Sequence, residues 1–279
     1  MVLKISNRLT ICLTYSINKK QVINVKYYEE LLRLEVFNFA EACKVVGKVT
    51  NAKMILDSYL EKGLIKRVRR GLFYAVNLDS RNAPANRYLV GSKINQTACL
   101  SHHTAFELHG LAHQASFVMY VESDRIFSDF IFEGTEFKYA GKGIKEGAVS
   151  HKQNSKIRVT DLERTIVESI NRLDYCGGVH ELDQIFKICP IVKEERFLKY
   201  LEIYDKQFLY KKAGYFLEKY SNSLGLTDEL LTAIEMKAGS TRKYLSDDAR
   251  NGHGRLIKRW GLIVPVTLDG GIEEGDEFV

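Results

Sequence analysis

The chain has 279 residues, of which 45% are hydrophobic and 27% are charged, and neither Gly nor Pro is enriched. This composition excludes a disordered or fibrous protein and allows two or three globular domains. No run of about 18 apolar residues occurs, so we expect no membrane-spanning segment. Five scattered cysteines without a CxxC pair exclude the usual disulfide frameworks and cysteine zinc sites, and they favour reduced thiols in a cytoplasmic protein.

The positive charge is confined to the first part of the chain. Residues 1–80 hold 14 Lys and Arg against 7 Asp and Glu, whereas residues 81–279 hold 27 against 28. A basic end joined to a neutral remainder is typical of a nucleic-acid-binding module attached to a domain with another role.

The first elements in chain order are an arm and two short helices. Residues 1–25 lack the small-residue cleavage site of a signal peptide and predict an arm or a leading strand. Residues 26–34 (KYYEELLRL) and 39–46 (FAEACKVV) predict amphipathic helices, the second ending at Gly47.

A third helix and a basic hairpin follow over residues 50–76. Thr50 is the expected N-cap, and Gly63 is the expected end of the helix. Residues 64–68 and 72–76 are β-rich and are joined through Arg69-Arg70-Gly71, which predicts a hairpin. Helix, turn, helix and hairpin are the order of a winged helix-turn-helix, which we assign to residues 26–80. The apolar stripe of the third helix consists of Ile55, Leu56, Tyr59 and Leu60.

The opposite face of this helix and the hairpin carry the candidate DNA-binding residues. Asn, Lys and Met side chains can contact adenine, guanine and the thymine methyl group, respectively. Hairpin cations would contact phosphates and supply affinity more than sequence choice. The helix residues are Asn51, Lys53, Met54, Asp57 and Ser58, and the hairpin residues are Lys66, Arg67, Arg69 and Arg70.

A polar stretch at residues 77–86 is the best linker in the sequence, so we expect two separately folding parts with few contacts between them. Residues 87–175 mix helical and β-rich segments as an α+β domain does. The expected segments are a helix over 98–111 with Ser101 as its cap and Gly110 at its end, β runs at 117–122 and 130–139, a strand at 156–160, and a helix over 162–173 capped by Asp161.

The remainder is predicted to be mainly helical. Residues 176–268 contain helix-spaced apolar residues over 179–189, 194–204 and 207–224, a helix over 228–237 capped by Thr227, and a closing strand near 262–266. Residues 269–279 form a short acidic tail. The predicted fold class is therefore α+β: an N-terminal winged helix-turn-helix, a mixed α/β domain and a mainly helical C-terminal region.

Two patterns could indicate a metal or an active site. His109 and His113 are four apart, but Gly110 lies between them and no third ligand falls at a convincing distance. Asp129 followed by Glu136 and Lys138 superficially matches metal-dependent nucleases, although on one unbroken strand Asp129 would face away from Glu136. No phosphate-binding loop, dinucleotide fingerprint or nucleophile elbow occurs. We expect no catalytic residues, no bound metal and no cofactor, with a nuclease as the leading enzymatic alternative.

Three stretches together resemble the AbiEi family of antitoxins: LSHHTAFELHGL (100–111), IRVTDLERTIVESI (157–170) and RKYLSDDARNGHGRLIKRWGLIVP (242–265). The resemblance covers most of the chain, since that family also begins with a winged helix. This chain departs from it in its longer N-terminal lead and its acidic tail. The matching positions are Ser101, His102, Thr104, His109, Gly110, Thr160, Asp161, Arg164 and Thr165. Capping and pairing favour a scaffold role for most of them.

The resemblance implies the antitoxin of a type IV (AbiE-like) toxin–antitoxin system, active in abortive phage infection. It implies a repressor that binds inverted repeats in double-stranded DNA at its own promoter. Repeated half-sites would allow adjacent protomers to cooperate there. It also implies a nucleotidyltransferase-type toxin that is countered through the C-terminal part without a stable complex. The other alternative is a pure protein-interaction module, for which the apolar helices over 179–224 would supply the surface.

Overall fold

A computed structural model describes residues 26–77, 84–251 and 254–269. These residues contain both helices and strands and form an α+β protein with two three-stranded sheets and one six-stranded sheet. Among the described helices, none combines the length and the apolar character needed to cross a membrane. The predicted arm (1–25) and nearly all of the acidic tail lie outside the described residues.

The N-terminal unit, residues 26–77, packs three helices against one face of a small antiparallel sheet. The sheet has the strand order β1-β3-β2. Phe37, Phe73 and Ile65 lie on the face toward the helices, where they share a core with Leu31 and Leu56. The elements are α1 (Tyr28–Leu34), β1 (Val36–Asn38), α2 (Phe39–Val46), α3 (Val49–Glu61), β2 (Ile65–Arg69) and β3 (Leu72–Ala75).

The ends of these helices follow local chemistry, with one correction. Helix α2 has the predicted bounds, because the Asn38 side chain accepts from the Glu41 N–H and the Glu41 carboxylate accepts from the Asn38 N–H. The prediction that Thr50 caps α3 is wrong. The helix begins earlier, with Lys48 as its N-cap and no side-chain cap bond, and this start brings Ala52 into the core beside Leu56.

The β2–β3 hairpin contains a bulge that the sequence does not reveal. Arg67 pairs with Phe73 but Arg69 pairs with Leu72, so Val68 is an extra residue on β2. Side chains two apart on a regular strand share a face. The bulge breaks this alternation and places Arg69 on the face of Leu72, away from the helices.

The central region is built on a mixed sheet with the order β6-β7-β5-β4-β9-β8, in which β5/β7 and β4/β9 are parallel pairs. The predicted single run over 130–139 is instead two strands, because Glu133 and Gly134 turn the chain with positive φ. The elements are α4 (Arg87–Ser92), β4 (Cys99–Leu100), α5 (His102–His109), β5 (Val118–Glu122), β6 (Phe130–Phe132), β7 (Thr135–Gly141), β8 (Ala148–Ser150), β9 (Arg158–Thr160) and α6 (Leu162–Asn171).

The C-terminal region is mainly helical, as predicted, and closes with a small sheet of order β10-β12-β11. The expected helix over 207–224 is broken at Tyr220, and α6 gives way to a short 3-10 helix at Leu173–Cys176. The remaining elements are α7 (Val179–Ile188), α8 (Glu194–Tyr204), α9 (Gln207–Lys219), α10 (Ser221–Leu224), α11 (Asp228–Ala238), β10 (Lys243–Tyr244), α12 (Asp247–Arg250), β11 (Gly254–Ile257), β12 (Leu262–Pro265) and a 3-10 helix at Val266–Asp269.

The N-terminal unit and the central region share one hydrophobic core, which corrects the expectation of few contacts across the linker. Val36, Leu72, Tyr74 and Val76 lie on the sheet face away from the helices and pack with central residues such as Leu89. The prediction failed because alternation along β1 and β3 gives the small sheet a second apolar face, which needs a cover. The linker residues 78–83 themselves lie outside the described residues.

Candidate nucleic-acid interface and buried charge cluster

Helix α3 and the β2–β3 hairpin border an open groove of about 410 Å³, which we call the α3–hairpin groove. It brings three cations together beside a single carboxylate. A groove with this charge suits a polyanion more than a neutral ligand. Its lining residues are Phe39, Lys53, Leu56, Asp57, Arg67, Arg70, Gly71 and Phe73.

The predicted contact residues of α3 lie on its outer face. Asn51, Lys53 and Met54 are exposed, and Met54 retains 65% of its accessible surface. Ser58 is half-buried. The exposed part of the Met54 side chain is available for an apolar contact with a partner.

The four hairpin cations separate into two sets. Arg67 lies over the Phe73 ring, 5.6 Å from its centroid, and with Arg70 it belongs to the α3–hairpin groove. Lys66 lies on the other face over the Tyr74 ring, and its hydrogen bond with Tyr74 raises the pKa of its ammonium group. Arg69 also lies on that other face, against Phe127 and Phe130 of the central region. This placement argues against a phosphate contact by Arg69.

Most of the residues that carry the family resemblance are buried, and Gly110 is the exposed exception. Ser101, Thr104, Thr160 and Thr165 have no accessible surface. The Thr104 hydroxyl accepts from the Tyr120 N–H at 2.9 Å, and Thr160 and Thr165 join their hydroxyls at 2.7 Å. These bonds tie α5 to β5 and α6 to β9, which supports a scaffold role.

His109, Gly110 and Asp161 complete this framework at the helix ends. His109 bonds the Thr160 carbonyl at 2.8 Å, and Gly110 ends α5 with a left-handed conformation. Asp161 caps α6 as predicted, by accepting from the Arg164 N–H at 2.9 Å. Ser101 occupies the predicted N-cap position of α5, but its hydroxyl bonds the His102 ring instead of the helix backbone.

Arg164 is the centre of a buried charge cluster formed with Glu122, Glu168 and His102. Its Nε donates to Glu168 at 2.6 Å, its Nη2 donates to Glu122, and its Nη1 donates to the carbonyls of Ile144 and Glu146. All four residues of the cluster are at most 5% exposed. A guanidinium with this many partners can fix strand β5, helix α6 and the 142–147 loop relative to one another.

The cluster contains two carboxylates for one guanidinium. Burial, and then the neighbouring Glu168, raises the pKa of Glu122 well above its usual range, and burial raises that of Glu168. One Glu168 oxygen, Oε2, has no hydrogen-bond partner among the described residues. A proton retained by the pair at neutral pH would balance the charge and give this oxygen a donor.

His102 is neutral in this setting. Burial, and then the positive charge of Arg172, lowers its pKa to about 3. Its backbone has a φ of 51°, which is strained for a residue with a Cβ. The ring packs edge-on against Tyr175, with 5.2 Å between their centroids.

The same cluster is the one group among the described residues whose geometry could hold a metal ion. A ring nitrogen of His102 and one oxygen each of Glu122 and Glu168 lie within 4.8 Å of one another. Arg164 already donates to both carboxylates, so a divalent cation here would lie beside a guanidinium. The donor set therefore fits a metal poorly, and we interpret the cluster as a structural network.

The candidate nuclease residues are occupied by other contacts. Asp129 directly precedes β6 and Glu136 lies on β7, so the two residues are not on one unbroken strand. The Asp129 carboxylate accepts from the Tyr139 N–H at 2.8 Å, while Glu136 pairs with Lys138 at 3.4 Å. His113 is exposed beyond the end of α5. None of these residues joins a potential metal-binding group in the described ranges.

Sequence reasoning missed Glu122, Glu168 and the aromatic pair Phe127 and Phe130. Glu168 could have been found, because it follows Arg164 by four residues on a predicted helix. Glu122 is 42 residues from Arg164 and carries no local signal.

Replacing His102 with Asn should flatten the fall of stability in acid. Because the folded-state pKa of His102 is lowered from 6.5 to about 3, its contribution is complete above pH 6.5 and is lost as pH falls towards 3. Between pH 7 and pH 5 the loss amounts to about 2 kcal/mol. Asn tolerates the positive φ and does not titrate.

Urea unfolding at both pH values measures the difference between variant and parent. The exposed His113→Asn is the control, and equal pH dependence of parent and H102N would contradict the prediction.

Comparison with solved structures shows a similar fold in another protein. The crystal structure of the RV2827C protein from Mycobacterium tuberculosis superimposes with a TM-score of 0.58 over 88% of this chain and 92% of its own, at 11% sequence identity. At this identity the similarity concerns the fold alone. No protein-family model matches the sequence. No curated protein matches it either.

Proposed function

We propose that the chain binds double-stranded DNA through its N-terminal unit and acts as a repressor at inverted repeats in its own promoter. In this proposal the unit is a winged helix-turn-helix, with α3 as the recognition helix and the β2–β3 hairpin as the wing. The order α1, β1, α2, α3, β2, β3 and the three-stranded antiparallel sheet support it.

The observation that carries the proposal is the α3–hairpin groove. Lys53 comes from the helix, and Arg67 and Arg70 come from the hairpin, so cations from both elements face one space. A duplex placed with α3 in its major groove would have its backbone beside the hairpin. Arg67 and Arg70 would then neutralise phosphates, and Asn51, Lys53 and Met54 would reach base edges.

We further propose that residues 87–279 provide an antitoxin function against a nucleotidyltransferase-type toxin, without forming a stable complex. The resemblance of residues 100–111 and 157–170 to the AbiEi family supports this proposal. Both stretches pack together in the central region, where Leu100 pairs with Val159 and His109 bonds Thr160. They form the framework of that region, so the surface that counters the toxin must lie elsewhere on it.

Replacing Arg67 and Arg70 together with Ala should weaken binding to every duplex. The slope of log K against log salt concentration should become shallower by about 0.9 for each lost phosphate contact. Asn51→Ala should instead reduce the preference for the chain's own upstream region over a shuffled duplex, by about 1–3 kcal/mol if a bidentate base contact is lost. Fluorescence anisotropy with both duplexes, over a series of salt concentrations, measures both effects.

Lys199→Ala is the matched control, because Lys199 is an exposed cation on α8 and lies outside the N-terminal unit. It should bind like the parent chain. Equal binding of the parent to the upstream region and to the shuffled duplex would exclude the repressor. No binding to either duplex at low salt would exclude the DNA-binding function itself.

A further inference from the structure

Arg69 lies between two basic residues of the hairpin but points away from both. The bulge at Val68 pairs Arg69 with Leu72, on the sheet face that packs against the central region. Its guanidinium lies 4.7 Å from the ring centroid of Phe130 and 5.6 Å from that of Phe127. The bulge therefore removes one cation from the DNA side and inserts it into an aromatic site.

The faces of the two rings hold this guanidinium. Its buried Nη1 donates no hydrogen bond among the described residues. Burial lowers the pKa of Arg69, which shows the cost of removing the group from water. Cation–π contacts with two rings compensate that cost, and they become stronger when water is excluded. Phe130 is itself fixed by stacking on Phe137, with 4.8 Å between centroids.

Neighbouring contacts join the same two hairpins. Tyr74 on β3 packs edge-on against Phe132, and its hydroxyl donates to Glu133 at 2.9 Å. The β2–β3 hairpin therefore rests on the β6–β7 hairpin through one arginine and one tyrosine. Arg67 and Arg70 lie on either side of Arg69, so their positions depend on this packing of one hairpin against the other.

We propose that Arg69 is a positioning residue that clamps the wing to the central region and so holds Arg67 and Arg70 towards DNA without contacting DNA itself. This inference rests on the proposed DNA-binding function. It makes Phe127 and Phe130 determinants of DNA affinity although both belong to the central region. The central region is thereby coupled to the DNA-binding surface.

The test compares Arg69→Ala, Arg69→Lys, Phe130→Ala and the double variant Arg69→Ala/Phe130→Ala in the full chain. Binding to a fluorescein-labelled mixed-sequence duplex is measured over a series of salt concentrations. Arg69→Ala and Phe130→Ala should each weaken binding about fivefold. Arg69→Lys should restore only part of the affinity, because its ammonium group keeps a cation–π contact but lacks the planar group that stacks on a ring. The double variant should be no weaker than the singles, because both remove one interaction. The salt slope should remain that of the parent, whereas Arg70→Ala should lower it.

Ile131→Ala is the control, since Ile131 neighbours Phe130 on β6 but is 73% exposed. Hydrogen exchange provides a readout without DNA: amides of β2 and β3 should exchange faster in the Phe130→Ala chain and not in the Ile131→Ala chain. If Arg69→Ala lowers the salt slope while Phe130→Ala binds like the parent, Arg69 contacts phosphate and the clamp is refuted. If the parent chain binds no duplex, the proposed function fails, and the clamp fails with it as a determinant of DNA affinity.

Discussion

Replacing Arg164 with Met should lower the free energy of unfolding by about 3–5 kcal/mol, because it leaves the carboxyl groups of Glu122 and Glu168 buried without their cation. Arg164 is 1% exposed and binds both carboxylates and two loop carbonyls. Methionine fills much of the volume of the aliphatic part of Arg164, so the expected loss of stability is mainly electrostatic. Equilibrium unfolding in urea measures it.

Arg172→Met is the matched control. Arg172 pairs with Asp174, but its side chain is 45% exposed, and a solvated pair of this kind contributes less than about 1 kcal/mol. Adding Glu122→Gln to Arg164→Met should recover part of the loss, because it removes one of the two stranded carboxyl groups. A loss below about 1 kcal/mol for Arg164→Met would show that the cluster relaxes or takes up protons at little cost.

Features that depend on residues close in sequence could be predicted. The cap at Asp161, the end of α5 at Gly110 and the bounds of α2 each follow from short-range hydrogen bonding or backbone preference. The scaffold interpretation of the resemblance residues also agrees with their burial. Contacts between distant segments could not be read in this way, and the Glu122–Arg164 pair is the clearest case.

One of the wrong predictions could have been avoided from the sequence. The dipeptide Glu133-Gly134 inside the predicted run over 130–139 is a turn signal, and it separates β6 from β7. The position of Arg69, in contrast, could not have been predicted from the sequence. The bulge at Val68 changes the side of the sheet on which Arg69 lies. No neighbouring residue type indicates a bulge at this position. Four similar cations therefore looked equivalent in the sequence although their surroundings differ.

Cutting the chain at the linker tests whether the N-terminal unit needs the shared core in order to fold. A piece ending at residue 77 would expose Val36, Leu72, Tyr74 and Val76, which are at most 6% exposed in the full chain. Exposing each such side chain to water lowers the free energy of unfolding by about 1.5–3 kcal/mol. A unit of this size has little stability in reserve. We therefore expect the small piece to be unfolded alone, by circular dichroism and by the dispersion of its amide NMR signals.

Co-expression of the two pieces should restore the structure, because the surface that Leu72 and Tyr74 leave behind on the central region is complementary to them. The pieces should purify together, and Leu72→Asp in the small piece should abolish this association, whereas Lys44→Asp on the exposed side of α2 should not. Rescue of cells from the proposed toxin by residues 84–279 should likewise improve when the small piece is present. A small piece that folds and binds DNA alone, together with full rescue by the large piece alone, would show that the two proposed functions are separable and that the shared core is dispensable. The shared core favours the opposite result, in which the DNA-binding surface exists only while the central region covers the second face of its sheet.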